Sequence, residues 1–283
     1  MLRKKMSVLP VIVLLTLLYA GCSKKDSTTD PAVNLTPRNC NMLSVAQQNN
    51  GSKGDLSISF TFDDSSRATS LLAYDSAVGV QLGKYTFTYS KDTIRIDSRQ
   101  YFLTDSKGRV RRFHTQDDPH DSSTDVYDYE YLYNDSGFLV TKNQYVNGAK
   151  QPDYTTTYTY RNNVLTHADM VVPGANNILI FSATLNYMYE QDVQNWLYHF
   201  PDGTESYLFQ QCLNFGRKSQ KALKSVITQV FNGNNTVADQ WTTNYGSYVF
   251  STEGNIMSVT ATGDEQQGFA FLYGRTFFNY QCK

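Results

Sequence analysis

The sequence has 283 residues, 25 basic and 26 acidic side chains, a net charge of −1, and 21 Tyr and 16 Phe. A near-neutral chain without a basic block excludes a nucleic-acid surface built on phosphate contacts. Abundant Tyr and Phe, with no long Ala-, Leu- or Glu-rich stretch beyond the first two dozen residues, favour strands over helices.

The chain starts with Arg3, Lys4 and Lys5, continues with an apolar run over 8–18, and reaches Tyr19-Ala20-Gly21-Cys22. A charged start, a short apolar run and a small-residue cleavage site are the parts of a secretory signal peptide. The run falls short of the roughly 20 apolar residues that a spanning helix needs. Leu18-Tyr19-Ala20-Gly21-Cys22 resembles the lipobox of bacterial lipoproteins, with Tyr19 where leucine is usual. The resemblance implies a signal peptide at residues 1–21 and lipidation of Cys22, which becomes the mature N-terminus. Ser23, rather than Asp, after the cysteine implies sorting to the outer membrane.

Residues 22–39 are polar, contain Pro31 and Pro37, and read as a flexible tether. Without residues 1–21 the chain has 262 residues, with 22 basic against 26 acidic side chains. Residues 40–283 form one Tyr-rich β domain, or two β subdomains divided near Pro173. Besides Cys22 there are Cys40, Cys212 and Cys282. Export allows one disulfide and leaves one thiol over, and spacing does not say which pair bonds. Cys40 and Cys282 flank the domain, so a bridge between them would tie the first strand to the last.

From Cys40 onward polar and apolar residues alternate, as in Ser57-Ile58-Ser59-Phe60-Thr61-Phe62 and Tyr127-Asp128-Tyr129-Glu130-Tyr131-Leu132-Tyr133. The same pattern runs over 85–89, 154–160, 185–189, 248–250 and 269–273. Period two places every second side chain on one face, so each stretch is expected to be a strand with an aromatic face. A turn of helix around residues 219–223 is the one helical candidate in the mature chain.

One phrase recurs between strands. Tyr131-Leu-Tyr-Asn-Asp-Ser-Gly137-Phe-Leu and Tyr248-Val-Phe-Ser-Thr-Glu-Gly254-Asn-Ile share a frame, and Phe102 to Val110 fits it around Gly108. Phe60 to Ala68 follows it with Ser66 in the glycine slot, and Tyr158 to Leu165 is a shortened version with Asn162-Asn163. Glycine supplies the positive φ of a hairpin turn, and the preceding Asp or Asn bonds the turn backbone. Ser66 implies a looser turn. The spacing between these turns, 42, 29 and 117 residues, excludes a solenoid or propeller of fixed period. The fold class is therefore all-β: an antiparallel meander of long hairpins, curled into an elongated sheet or open barrel.

This aromatic-x-aromatic-x-x-x-Gly-x-aliphatic frame resembles the YD-type hairpins of bacterial surface proteins. Together with Cys22, Cys40, and Asn214-Phe215-Gly216-Arg217-Lys218 before a late strand over 226–231, it resembles the uncharacterised Bacteroidetes lipoproteins with a DUF4595-like domain. The resemblance spans Cys40 to the C-terminus and implies an all-β fold on a cell envelope. It carries no catalytic or ligand-binding residue to transfer.

The densest ligand-type side chains are Asp117, Asp118, Asp121 and Asp125, whose carboxylates could gather the oxygens that calcium requires. The segment lacks the EF-hand glycine and closing Glu, and an exposed hairpin loop is the plainer reading. The four histidines form no metal or catalytic motif, and neither a nucleophile elbow nor a phosphate loop occurs, so no catalytic residue and no cofactor are assigned. Trp196, Tyr198, Trp241 and Tyr245 are the aromatic side chains proposed to stack on a sugar ring, set against their bland role as core. The expected function is a lipid-anchored envelope module that binds a glycan or another envelope protein without catalysis, with no nucleic-acid partner. The alternative is an envelope polysaccharide hydrolase drawing carboxylates from loops 117–128 or 202–205.

Overall fold

The computed structural model describes residues 40–48, 55–116, 125–174, 177–193, 200, 207–264 and 274–282. In chain order the strands are β1 (Cys40–Gln48), β2 (Leu56–Phe62), β3 (Ala68–Asp75), β4 (Val80–Thr86), β5 (Thr88–Ser90) and β6 (Thr93–Arg95). There follow β7 (Tyr101–Thr104), β8 (Val110–Gln116), β9 (Val126–Tyr133), β10 (Leu139–Val146), β11 (Tyr154–Arg161) and β12 (Val164–Val172). The last group is β13 (Ile178–Asp192), the short helix α1 (Tyr207–Cys212), β14 (Lys221–Phe231), β15 (Val237–Phe250), β16 (Ile256–Gly263) and β17 (Gly274–Cys282).

Strand follows strand in an antiparallel meander, and β1 pairs with both β2 and β17, so the sheet returns on itself as a nearly closed barrel. β12 and β13 pair across Pro173, which puts the strands on both sides of that residue in the same sheet. The break in the ring is at β4 and β5, two parts of one run separated at Phe87. β4 pairs back to β3 and β5 pairs on to β6, so among the described residues the outer edge of β4 has no ladder partner.

The sequence periodicity explains which face is which. In β9, Tyr129 and Tyr131 turn inward, where Tyr129 stacks on buried Phe113 and Tyr131 meets buried Phe215 edge-on at 5.1 Å, while Asp128, Glu130 and Leu132 turn out. In β2, Ile58 and Phe60 are buried and Ser59 and Thr61 exposed; in β13, Ala183, Leu185 and Tyr187 are buried and Thr184 and Asn186 exposed. The barrel is therefore filled mainly with apolar side chains, among which Gln47, Lys142, Thr156, Thr228, Thr243 and Thr276 are also buried, and it faces outward mostly with Ser, Thr, Asn and charged groups. Among the described residues, half of the exposed large apolar side chains, Tyr74, Val78, Val80 and Leu82, belong to the β3–β4 hairpin. The others, Leu132, Tyr154, Val237 and Val249, stand on β9, β11 and β15.

A helix rather than a ladder spans the break. Phe209 of α1 packs on Tyr85 and Phe87 from one side of the gap, at 5.0 and 6.2 Å. It packs on Phe102 and Phe113 from the other, at 5.2 and 5.7 Å. Edge-to-face and tilted pairs of this kind add to the roughly 1.5–3 kcal/mol from burying each ring. The helix expected at 219–223 is not found: those residues enter β14, whose Ala222 and Leu223 are buried on the barrel wall, and the helix lies earlier. Strand pairing to β13 outweighs the weak local preference there. The expected strand at 269–273 lies outside the described residues.

Candidate functional site

In an up-and-down meander alternate connections share an end. The turns after β2, β7, β9, β11 and β15 therefore gather at one end of the barrel, together with Cys40 and Cys282. These are the turns of the recurring phrase, and their geometry repeats. The amides of Gly108, Gly137 and Gly254 donate to the carbonyls of Asp105, Asn134 and Ser251 at 2.9–3.0 Å. Ser66 makes the same bond to Asp63 at 2.9 Å with φ +62°, so its turn is as tight as the glycine turns and not looser. The Asp63 carboxylate accepts from the amides of Ser65 and Arg67, both at 2.9 Å, and pairs with the Arg67 guanidinium, as Asp105 does in the Gly108 turn.

Two of these turns carry an identical brace. Arg67 pairs with Asp63 and lies 4.8 Å over the Tyr89 ring, and the Tyr89 hydroxyl donates to the Ala68 carbonyl at 2.8 Å. Arg109 pairs with Asp105 and lies 4.4 Å over Tyr133, whose hydroxyl donates to the Val110 carbonyl at 2.6 Å. Hydrogen bonds from Arg67 hold the Asp63 carboxyl below the ordinary carboxylate range. At Asp105 burial opposes the charge, but the bonds from Arg109 outweigh it and lower the pKa.

The segment between α1 and β14 docks on these turns and plugs the barrel end. The Val110 amide donates to Asn214 O at 2.8 Å, the Arg217 amide to Gly137 O at 2.8 Å, and the Leu165 amide to Ser219 Oγ at 3.0 Å. Gly216, at φ +89°, touches this turn so closely that a Cβ would collide with the Gly137 carbonyl and the Tyr133 ring. The motif Asn214 to Lys218 is thus the docking surface of the plug.

Two cavities open beside the plug and share Ser66, Cys212, Leu213 and Asn214. One, of 560 Å³, runs between Arg67, Tyr89, Lys91 and Ile94. The other, of 430 Å³, is lined by Met42, Phe62, Gln211, Lys218 and Tyr280. Both lie within the size range of small-molecule sites. Burial pushes the Lys218 pKa down to about 8 and pushes the Cys212 thiol above its usual range. Sequence reasoning missed these cavities. The signal was the cationic end of the Asn214 to Lys218 motif, which acquires meaning once the plug is seen to bury it.

Of the residues singled out in the sequence, Cys40 and Cys282 are bonded to each other, Asn255 Nδ2 lies 3.8 and 3.9 Å from their sulfurs, and Cys212 is a free thiol. Tyr245 is 5 % exposed on the inner face, where burial raises its hydroxyl pKa, and half-buried Trp241 shares that face four residues earlier. Asp125 accepts from Asn147 Nδ2 at 2.7 Å. Cys22, the tether, Trp196, Tyr198, Asp117, Asp118 and Asp121 lie outside the described residues, as do Asp202 and Glu205.

The outer face carries two polar clusters that the sequence did not announce. Asp128, 7 % exposed, accepts from Arg112 Nε at 3.0 Å and lies 2.9 Å from His114 Nδ1, and His114 stacks on Tyr101. Burial opposes its charge, but the Arg112 and His114 bonds prevail and hold the carboxyl below its ordinary range. Glu130 beside it accepts from Asn143 and Tyr145. On β12 and β13, His167 meets Asp169 at 3.0 Å and Ser182 at 3.3 Å, a set with the composition of a hydrolase triad. Both contacts fall on Nε2, and Nδ1 on the other side of the ring lies 3.3 Å from Thr184 Oγ1. No group of three metal-ligating side chains converges among the described residues.

No family model matches this chain, and a search of curated proteins finds no match. Among solved structures it is similar to a porin-like protein from Bacteroides uniformis, with TM-score 0.62 and 14 % identity over 88 % of this chain and 98 % of the other. A porin-like protein from Bacteroides vulgatus gives TM-score 0.53 and 13 % identity over 86 % and 99 %. At such identities the likeness establishes the fold: a barrel-like antiparallel sheet spanning nearly the whole of both neighbours.

Proposed function

We propose that this chain is an envelope protein held to the outer membrane by a lipid on Cys22, and that its barrel is a non-catalytic module that binds or organises a glycan or another envelope protein. The observation that carries this reading is the direction of the strand alternation. A barrel that crosses a bilayer shows an apolar band to lipid and a polar interior. Here the interior is mainly apolar and plugged, and the outside carries Ser, Thr, Asn and ion pairs with exposed apolar side chains only at scattered positions and on the β3–β4 hairpin among the described residues. An outer face of this kind fits water better than a bilayer, and the proposal therefore gives membrane attachment to the anchor that the lipobox implies. The two Bacteroides neighbours support an envelope setting, and kinship with DUF4595-like lipoproteins, resting on the repeated turns, belongs to the same proposal.

A non-catalytic role is supported by the first cluster above, in which Asp128 is tied to Arg112 and His114. Labelled palmitate should enter the wild-type chain and not Cys22→Ser. Glycan-array and envelope pull-down screens should give a saturable partner, with no turnover of polysaccharide. Turnover without any such partner would favour the hydrolase reading.

A further inference from the structure

We propose that the 560 Å³ cavity between β5, β6 and the plug is a sugar site, and that it takes the uronic acid residue of an acidic glycan. The carboxylate of that residue meets Lys91, its hydroxyls meet Ser90, Thr104 and Asn214, and its C–H face lies on Ile94 and Leu213. The inference rests on the binding role proposed above and gives that role a place and a ligand class.

Three observations converge. First, the fold sets the walls. The Tyr89 hydroxyl donates to Ala68 O, the Thr104 amide to Asp92 O and the Val110 amide to Asn214 O, each at 2.8 Å, so the strands and the plug are tied together around the cavity. Secondly, polar groups ring an apolar floor, the usual make-up of a small-molecule site. Ala68, Ile94 and Leu213 supply carbon surface, and Ser66, Ser90 and Thr104 supply hydroxyls. Asn214 Oδ1 accepts from the Gly216 amide at 3.0 Å, which leaves its Nδ2 to donate to a ligand. A sugar divides in the same way, with hydroxyls around its edge and C–H groups on its faces. Thirdly, the charge is one-sided: Arg67 and Lys91 line the cavity, and no carboxylate is among the described lining residues. Arg67 is committed to Asp63 and to the Tyr89 ring. Lys91 stands exposed at the rim without a carboxylate partner among the described residues, and the carboxylate of Asp92 beside it accepts from Thr93 Oγ1 at 3.2 Å. An ion pair with an exposed lysine contributes little affinity, so the carboxylate selects among sugars while the hydroxyl and C–H contacts hold them.

The test uses the full chain carrying Cys22→Ser, purified without detergent and titrated calorimetrically. The probes are glucuronate and galacturonate disaccharides, the neutral glucose and galactose disaccharides, and inorganic phosphate. One uronate disaccharide at least should saturate a single site, about fivefold tighter than its neutral counterpart and tighter than phosphate. Lys91→Met should abolish that preference and leave the neutral affinity unchanged, and Lys91→Arg should keep it. Thr104→Val should weaken both sugars alike. A further readout needs no substitution in the site: the bound uronate should slow iodoacetamide labelling of Cys212, which lines the cavity. No binding of either uronate, phosphate binding as tightly, or an unchanged preference in folded Lys91→Met would overturn this site. A saturable partner in the glycan and envelope screens would then leave the wider binding role standing, whereas hydrolysis of a disaccharide would overturn that role itself.

Discussion

Cys40 and Cys282 stand opposite each other in register on β1 and β17, so the disulfide lies at the ladder that brings the first strand back to the last. It spans 242 residues of sequence, and cross-linking distant points restricts the unfolded chain strongly. Replacing both cysteines by alanine should cost about 2–5 kcal/mol in equilibrium denaturant unfolding. An unchanged midpoint would mean that the β1–β17 ladder closes the ring unaided.

Phe209 joins the two sides of the ring break at β4. Phe209→Ala should cost about 3–5 kcal/mol, the range for removing a buried aromatic ring. Phe209→Leu should recover a large part of it. Hydrogen exchange should then quicken in β4 and β7 before it does in β12 to β16. Uniform quickening would deny the helix its local role.

Gly216 and Gly108 both have positive φ, yet their surroundings differ. Nothing stands within 4 Å of a Cβ at Gly108, so Gly108→Ala meets the backbone penalty alone, about 1–2 kcal/mol. Gly216→Ala adds a collision with the Gly137 carbonyl and the Tyr133 ring. Its Tm should fall further than that of Gly108→Ala, and labelling of Cys212 should speed up as the plug lifts. Equal falls would show that the plug yields without cost.

These contrasts show what was legible in the sequence. Alternation such as Tyr127 to Tyr133 and turns such as Asn134 to Gly137 are local, and local chemistry specifies both. The return of β17 to β1 depends on pairing across the whole chain, which periodicity does not encode. Ser66 in the glycine slot implies a looser turn, yet it adopts φ +62° in a turn with the same carboxylate bonds as the Gly108 turn, so the slot does not require glycine. Asn214 to Lys218 stood out as a motif, but its partners Gly137 and Val110 are about 80 and 100 residues away. Tyr245 had the right chemistry for a sugar contact, and the register of β15 turned it into the core.

Acid should weaken the barrel through Asp63, Asp105 and Asp128. Each is lowered in the folded state, so each contributes stability that is complete above the unfolded carboxylate value near 3.9. That contribution is lost as pH falls through the folded values. The Tm of Asp105→Asn should lie below wild type at pH 7 and converge with it as pH falls through the folded Asp105 value. A gap that stays constant with pH would assign the effect to turn geometry and not to charge.

The most direct test of the central claim, a water-facing barrel tethered by lipid, is the fractionation of Cys22→Ser after expression in a Gram-negative host. Wild type should sediment with outer membranes and need detergent for release. Cys22→Ser, exported and folded, should leave the membranes in buffer or an alkaline wash. If Cys22→Ser stays in the membrane and still needs detergent, the barrel itself crosses the bilayer, and the reading of its polar outer face is wrong.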